Sequence, residues 1–422
     1  MRIPMRVGVG ALLLLIALLA VPAGAQENAE GVRGTLTNQA GEPVEGVDIT
    51  VRDAEGDVVD TATSDEEGAW SVPVPGPGSY EATLDTDTLP GELGLTDPER
   101  QTLSFTIRTG QNRTLIFQLG ERETAAAQMF GRVAQSGVNG IKFGLIIAMT
   151  AIGLSLIFGT TGLINFAHGD LVTMGAVTAF VINTAVPGVH LIPATFLAVA
   201  VCAGFGGALE AGLFRPLRRR RTGLIQLLVI TVGLAFLLRH VILFFFGGSR
   251  RTYLNYALQS AVEIGPVRLT PREIVVMALS LVVLIGVGLL LTKTRLGKAM
   301  RAVSDNRDLA ESSGINVERI ILVVWMLGAA LAALGGIFQG VVVNVNYLMG
   351  FRLLLLMFAG VILGGLGTAY GAIVGSLVVG IVTELSTLWF PAELKYMWAL
   401  LVLIVILLIR PQGILGRRER VG

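Results

Sequence analysis

The sequence predicts an all-α polytopic membrane domain of about nine transmembrane helices, some of them broken, preceded by a small extracytoplasmic antiparallel β-sandwich. Three observations predict it. Only 15% of the 422 residues are charged, 53% are hydrophobic and the mean hydropathy is +0.70, whereas a soluble domain clothes its surface with roughly 25% charged residues. The charge is divided: residues 26–124 carry 20 acidic and 6 basic side chains, and residues 125–422 carry 11 and 24. Opposite charge on either side of a change in hydropathy implies two domains in different compartments. The apolar pattern changes at the same place, from short alternating runs to long continuous ones.

At the start, Arg2 and Arg6 precede an apolar run over 7–21, and Ala23-Gly24-Ala25 follows. A basic lead, a short hydrophobic stretch and a small-x-small site read as a secretory signal over residues 1–25. The run is shorter than the roughly 20 residues that a membrane span needs. Cleaved or retained as an anchor, this segment puts residue 26 onward outside the cytoplasm.

The extracytoplasmic domain occupies 26–122. Alternating segments at 32–37, 47–52, 58–63, 69–74, 80–84, 102–108 and 113–119 are broken by Gly41-Glu42-Pro43, Glu67-Gly68 and Pro75-Gly76-Pro77-Gly78. Period-two alternation between turn residues is the mark of antiparallel strands. The acidic run Asp65-Glu66-Glu67 reads as a solvated turn, since a calcium cage needs about six or more oxygen ligands. No metal site is expected, because the first histidine is His168, and the lone Cys202 rules out an internal disulfide.

Residues 123–142 read as a linker, with a helix lead-in from 126, 143–410 as the transmembrane domain and 411–422 as a cytoplasmic tail. Spans are expected near 143–159, 163–186, 191–214, 223–246, 274–291, 320–343, 353–366, 370–388 and 397–409, with 353–365 short enough to be re-entrant. With residue 26 outside, the arginines of 215–221, the basic loop 292–319 and Arg417, Arg418 and Arg420 all fall inside, as the positive-inside rule asks. The loop 247–272, with Arg250, Arg251, Arg268 and Arg272, is the exception. The chain is thus expected in the cell membrane, with the lipid bilayer as its solvent and no nucleic-acid partner.

Three motifs stand out within the membrane part. The stretch Gly159 to Asp170 interrupts two apolar runs with Asn165, His168 and Asp170. Such breaks mark substrate paths in transporters, although their polar groups also serve the freed backbone. Asp170 is placed to cap a helix beginning at Leu171. Next, residues 296–313 read as one short amphipathic helix with Leu296, Met300, Val303 and Ala310 near helical spacing, stopped at Gly314. Its apolar face suits either a partner's groove or the membrane surface. Finally, Gly364, Gly365, Gly367 and Gly371 are spaced for close helix packing.

No Gly-x-x-x-x-Gly-Lys-Ser/Thr loop is present, so any ATP-driven motor must be another chain. Nor does any nucleophile–base or metal constellation suggest an intramembrane enzyme.

Together, Ile164 to Asp170, Arg215-Pro216-Leu217-Arg218, Thr294 to Ala302, Ser313 to Asn316, Leu363 to Gly367 and Pro411 to Gly416 resemble the permease subunits of branched-chain amino acid ABC importers. The resemblance covers nearly the whole membrane part. It implies that 292–319 docks on an ATPase through Met300, Val303, Asp308, Ala310 and Gly314, while Asn165, His168 and Asp170 are candidates for the substrate pathway because of the polar break they form. It also implies a second permease subunit, two cytoplasmic ATPase subunits and an extracytoplasmic solute-binding protein. ATP is then used by the partners, and this chain binds no cofactor and is no enzyme. Branched-chain or related amino acids are the solutes this implies, with urea or short amides as alternatives within the class. Two features depart from the usual pattern: in the segment ahead of the glycines Asn346 is followed by Tyr347 rather than proline and Arg352 is set off by a long apolar run, and the exported β domain is not part of that pattern. Residues 63–70 with Pro77-Gly78-Ser79-Tyr80 resemble the carboxypeptidase regulatory-like β-sandwich, a binding or spacer module without catalytic residues.

Overall fold

A computed structural model describes residues 30–38, 41–91, 93–96, 100–121, 125–185, 188–256, 259–410 and 412–415. The expected signal over 1–25 and most of the expected tail, including 416–422, lie outside the described residues. The chain divides into two compact units between Gln128 and Met129.

The first unit packs three sheets over one core. Strands β1 (Gly31–Thr35), β2 (Asp48–Arg52), β3 (Val58–Thr63), β4 (Ala69–Pro73), β5 (Gly78–Leu84), β6 (Leu93–Leu95), β7 (Thr102–Ile107), β8 (Asn112–Leu115) and β9 (Leu119–Glu121) follow in order. Four of them pair antiparallel in the order β3-β2-β5-β7, β4-β1-β8 form a second sheet, and β6 pairs with β9. Alternate residues point inward, so Val32, Ile49, Val51, Trp70, Val72, Tyr80, Leu84 and Phe105 share a buried cluster. Gly34 is required where β1 crosses this core, because a Cβ there would sit 2.5 Å from the Leu115 carbonyl and 2.7 Å from Trp70 Nε1. The sandwich is not wholly antiparallel as the sequence suggested: β1 and β8 run parallel. The acidic turn is structural, since Asp65 Oδ1 accepts hydrogen bonds from the backbone N–H groups of Glu67 and Ala69 at 3.1 and 2.7 Å.

The second unit is helical: α1 (Ala125–Thr161), α2 (His168–Ala185), α3 (Leu191–Arg219), α4 (Leu224–Phe246), α5 (Pro271–Lys293), α6 (Arg295–Asp305), α7 (Arg307–Ser312), α8 (Val317–Val342), α9 (Met349–Gly364), α10 (Ala369–Leu385) and α11 (Lys395–Ile409). Among the described residues, all but α6 and α7 coincide with the nine expected spans. Seven stretches among the described residues are long and apolar enough to cross a membrane, with α10 and α11 counted together with their adjoining 3₁₀ turns as Ala369–Leu388 and Ala392–Ile409; α2 is not among them, and α9, with 16 residues, is shorter. Between α4 and α5 lies a small hairpin, β10 (Val262–Ile264) with β11 (Val267–Leu269).

Two expectations are refined. The segment 123–142, read as a linker with a helix lead-in, is helical from Ala125 onward and continuous with the first span. The Ala125-Ala126-Ala127 start favours a helix, and Gly140 is not a break but a contact: a Cβ there would lie 2.6 Å from Ile381 Cα on α10. The single helix expected over 296–313 is two. Asn306 takes an extended conformation between α6 and α7, and its Oδ1 caps the second by accepting from Leu309 N–H at 2.9 Å.

Backbone-to-backbone packing holds the bundle. A Cβ at Gly350 on α9 would stand 1.8 Å from the Gly169 carbonyl on α2, and one at Gly364 would stand 1.8 Å from the Gly371 carbonyl on α10. Gly365 and Gly367 form the turn between α9 and α10, with φ of 111° and 78°. The two ends of the bundle differ. One gathers α6, α7, the end of α3 and residues 412–415, which hydrogen-bond to Leu363 and Gly364. The other gathers the loop after α4, where Arg251 bridges to Val345 and Asn255 bonds to Asn183.

Replacing Gly350 with valine should separate α2 from α9 at a cost of about 3 kcal/mol, the upper range for overpacking a tight contact. A lowered unfolding temperature in detergent, with a smaller loss for Gly137→Val, which meets no neighbour within 4 Å, is the expected result.

Candidate functional site

The break between α1 and α2 turns back into the bundle. Thr161 ends α1, Gly162 takes φ of 69°, and residues 163–167 run without regular structure until α2 starts at His168. His168 is level with Thr150, eleven residues before the end of α1, because its Nε2–H donates to the Thr150 carbonyl at 3.0 Å. At 1.5 Å per residue that is about 16 Å inside the helix end. Helix α2 therefore begins deep within the bundle.

The unwound backbone is satisfied locally and from α4. Asn165 Oδ1 accepts from Ala167 N–H at 3.1 Å, and Thr231 Oγ1 accepts from Phe166 N–H at 3.2 Å. Asn165 Nδ2 and His168 Nδ1 are buried without a partner among the described residues. Asp170 does not cap a helix at Leu171, as the sequence suggested; the helix has already started two residues earlier. Its carboxylate instead takes a two-pronged bond from Arg239 on α4, with Nε to Oδ1 and Nη2 to Oδ2 both at 3.2 Å. Both side chains are buried, at 0% and 11% exposure. The guanidinium also lies 4.1 Å from the Phe351 ring centre on α9 and 5.6 Å from that of Phe236. One ion pair thus joins α2, α4 and α9.

Asn165, His168 and Asp170 are brought together, but all three are buried and face no open space in this chain. Asn165 and His168 serve backbone groups, and Asp170 serves Arg239. On α9 beside this pair, Phe351 and Arg352 are exposed.

At the other candidate site, Met300, Val303 and Ala310 are 2–3% exposed and share a cluster with Phe214 and Trp325, whose rings stack at 4.6 Å. The apolar face of α6 and α7 is therefore spent on the chain's own spans. What remains for a partner is the outer side: Arg301, Asp308, Glu311, Gly314 (φ 83°) and Leu309, which is 65% exposed. Glu318 at the start of α8 ties this layer together, bonding Arg215 at 2.5 Å and Arg307 at 3.2 Å. Arg218 pairs with the fully buried Glu210, inside a π-helical turn of α3. Among the described residues no group of three or more His, Cys, Asp or Glu could hold a metal ion.

With this geometry in hand, comparison with known proteins gives a direct result. Residues 137–408 match the model of the branched-chain amino acid transport system / permease component family. The chain belongs to that family. Within it, the chain is 29% identical over 306 residues to the high-affinity branched-chain amino acid transport system permease protein LivH of Escherichia coli, covering 69% of this chain and 98% of LivH. It is 32% identical over 298 residues to the corresponding BraD protein of Pseudomonas aeruginosa, covering 68% and 96%. The ribose import permease protein RbsC of Escherichia coli is 27% identical over 263 residues, covering 60% and 75%. Residues 31–120 match the carboxypeptidase regulatory-like domain. The chain is accordingly a multi-pass permease component and not an enzyme; permeases of this family bind no cofactor, and the family implies ATPase and solute-binding partners.

Arg239, Thr231 and the Glu210–Arg218–Glu318 group escaped the sequence reading. The signal for Arg239 was available: a single arginine within the apolar run of α4 needs a carboxylate partner or water. Its partner lies 69 residues away, beyond any local pattern.

Arg239→Leu should strip Asp170 of its counter-charge and cost about 3–5 kcal/mol, as for one member of a buried pair. The double change Asp170→Asn with Arg239→Leu should recover much of that loss in thermal unfolding of the purified protein.

Proposed function

We propose that this chain is a membrane-spanning subunit of an ATP-binding-cassette importer, carrying branched-chain or related amino acids inward on ATP hydrolysed by partner subunits. The observation that carries the reading is the similarity to LivH and BraD over 98% and 96% of those permeases. A second permease subunit, two ATPase subunits and an extracytoplasmic solute-binding protein complete the machine.

The end bearing α6, α7 and residues 412–415 is the cytoplasmic one in this proposal. It holds the basic loop 292–319 and Arg219, Arg220 and Arg221. The arginines of the opposite loop weigh less against it, because most are engaged there: Arg251 lies over the Phe180 and Phe246 rings, Arg268 pairs with Glu263, and Arg272 bonds the Tyr256 carbonyl. The β-sandwich then stands outside, and we read its acidic surface as a holder for the binding protein or the wall matrix near the pore.

The ATPase meets the outer side of α6 and α7, with Leu309 as the apolar contact set among Arg301, Asp308 and Glu311. A sugar is the second reading, favoured by the similarity to the ribose import permease.

Vesicles carrying the full complex should take up labelled leucine only with ATP on the cytoplasmic side and binding protein on the other, and isoleucine and valine should compete. Ribose uptake in its place would favour the second reading. Leu309→Asp should cut co-purification of the ATPase at least tenfold while the permease still inserts; undiminished co-purification would remove the docking assignment.

A further inference from the structure

Among the described residues, three cations set among the apolar helices are paired with carboxylates, and Arg352 is not. Lys142 bonds Glu273 at 2.5 Å, Arg239 bonds Asp170 at 3.2 Å, and Lys395 bonds Glu384 at 3.0 Å. Arg352 on α9 is exposed, and its guanidinium meets no carboxylate, carbonyl or aromatic ring among the described residues.

Its depth follows from its neighbours. Phe351 stacks under the Arg239 guanidinium, and Gly350 N–H donates to Thr173 Oγ1 on α2 at 3.1 Å. Arg239 lies 15 residues beyond Leu224 and 7 before Phe246, the two ends of α4. At 1.5 Å per residue these are about 22 and 10 Å from the ends of that span. Arg352 is therefore inside the apolar slab rather than at either rim.

An arginine at that depth is disfavoured against hydrocarbon and belongs beside water or a carboxylate. The surface around it is mixed. Phe351 and Leu355 are 39% and 44% exposed on the same side of α9, while Leu353, Leu354, Leu356 and Met357 are buried behind them. A planar fork of N–H donors flanked by apolar side chains matches a ligand with a carboxylate at one end and an aliphatic group at the other.

We propose that Arg352 is the carboxylate-recognising residue of the translocation path, with Phe351 and Leu355 as its apolar flank for the solute's side chain. This rests on the reading of the chain as an amino-acid importer subunit. Arg239, already committed to Asp170 and stacked on Phe351, acts as a positioning residue that holds the top of α9 in place.

The test uses the whole complex in vesicles. Cys202 is the sole cysteine and is buried, so Arg352→Cys in a Cys202→Ala background gives a single reactive position. A membrane-impermeant methanethiosulfonate should modify it, and leucine should slow the modification while leucinamide does not. In uptake, Arg352→Gln should raise the leucine KM at least tenfold with intact ATPase co-purification, and Arg352→Lys should recover part of the loss. A thiol that stays unmodified in the Arg352→Cys variant means that the position faces lipid or a sealed contact and overturns the proposal. So does an unchanged KM, or loss of subunit assembly in Arg352→Gln, which would assign the guanidinium to a partner subunit's carboxylate. Wild-type uptake of leucine with any of these results sinks this proposal alone; wild-type uptake of ribose and no amino acid sinks the importer's solute reading with it.

Discussion

Helices in lipid gain little by leaving it for one another, since acyl chains are as apolar as leucine, so their association depends on close packing and on the few polar contacts between them. The rest of the helical unit depends on this constraint. At the α2–α9 contact, Gly169 and Gly350 let two backbones meet, and at the α9–α10 turn Gly364 and Gly371 do the same. Side chains at these points would hold the helices apart by an ångström or more. A hydrogen bond such as Gly350 N–H to Thr173 Oγ1 exists only because the backbones are that close. Close-packed interiors yield little, so the contact also fixes where Phe351 stands. That placement decides the electrostatics of the site.

The Asp170–Arg239 pair is best understood as a consequence of the broken helix. Unwinding residues 162–167 allows α2 to begin deep in the bundle and leaves backbone groups to be satisfied where water is scarce. Thr231 and Arg239, two turns apart on one face of α4, then hold the two parts of the break: the irregular segment and the first turn of α2. A buried ion pair adds little net stability against an apolar replacement, because desolvation offsets the attraction. Its value is that it is specific. A register slip of α4 by one turn would leave two buried charges apart, which apolar packing alone would not penalise as strongly.

What the sequence revealed and what it hid divide along the range of the interactions. Span positions were legible because lipid imposes a local rule, about 20 apolar residues with charges outside. Seven of the β-strands were legible for the same reason, as alternation within a few residues. The parallel pairing of β1 with β8 was not, since it joins segments about 80 residues apart, and the three-residue strand β6 is too short to show a period. Over 123–142 the helical lead-in was legible but its reach back to Ala125 was not, since the contact of Gly140 with α10 joins segments far apart in the chain. The amphipathic pattern of 296–313 was sound, but its apolar face serves Trp325 and Phe214 of the same chain. Periodicity shows that a face is buried; it does not say by what.

That last point changes how the layer of α6 and α7 is to be understood. Were Met300, Val303 and Ala310 a docking surface, α6 and α7 could shift on a partner without disturbing the spans. Buried as they are, they make the loop one packed piece with α3 and α8, and Glu318 adds bonds to Arg215 and Arg307 across the same junction. The opening turn of α8 is thus tied to α7 and α3 by charge, and its middle is tied to α1 and α2 by backbone contact, where Gly328 meets Gly153 and Gly336 meets Val172. A displacement imposed at Leu309 would have to break this junction or move α8. The weaker element is in α3: the π-helical turn at Glu210 already departs from regular hydrogen bonding. It lies where α3 leaves the junction for the membrane, with Glu210 held by Arg218 and Phe214 by Trp325.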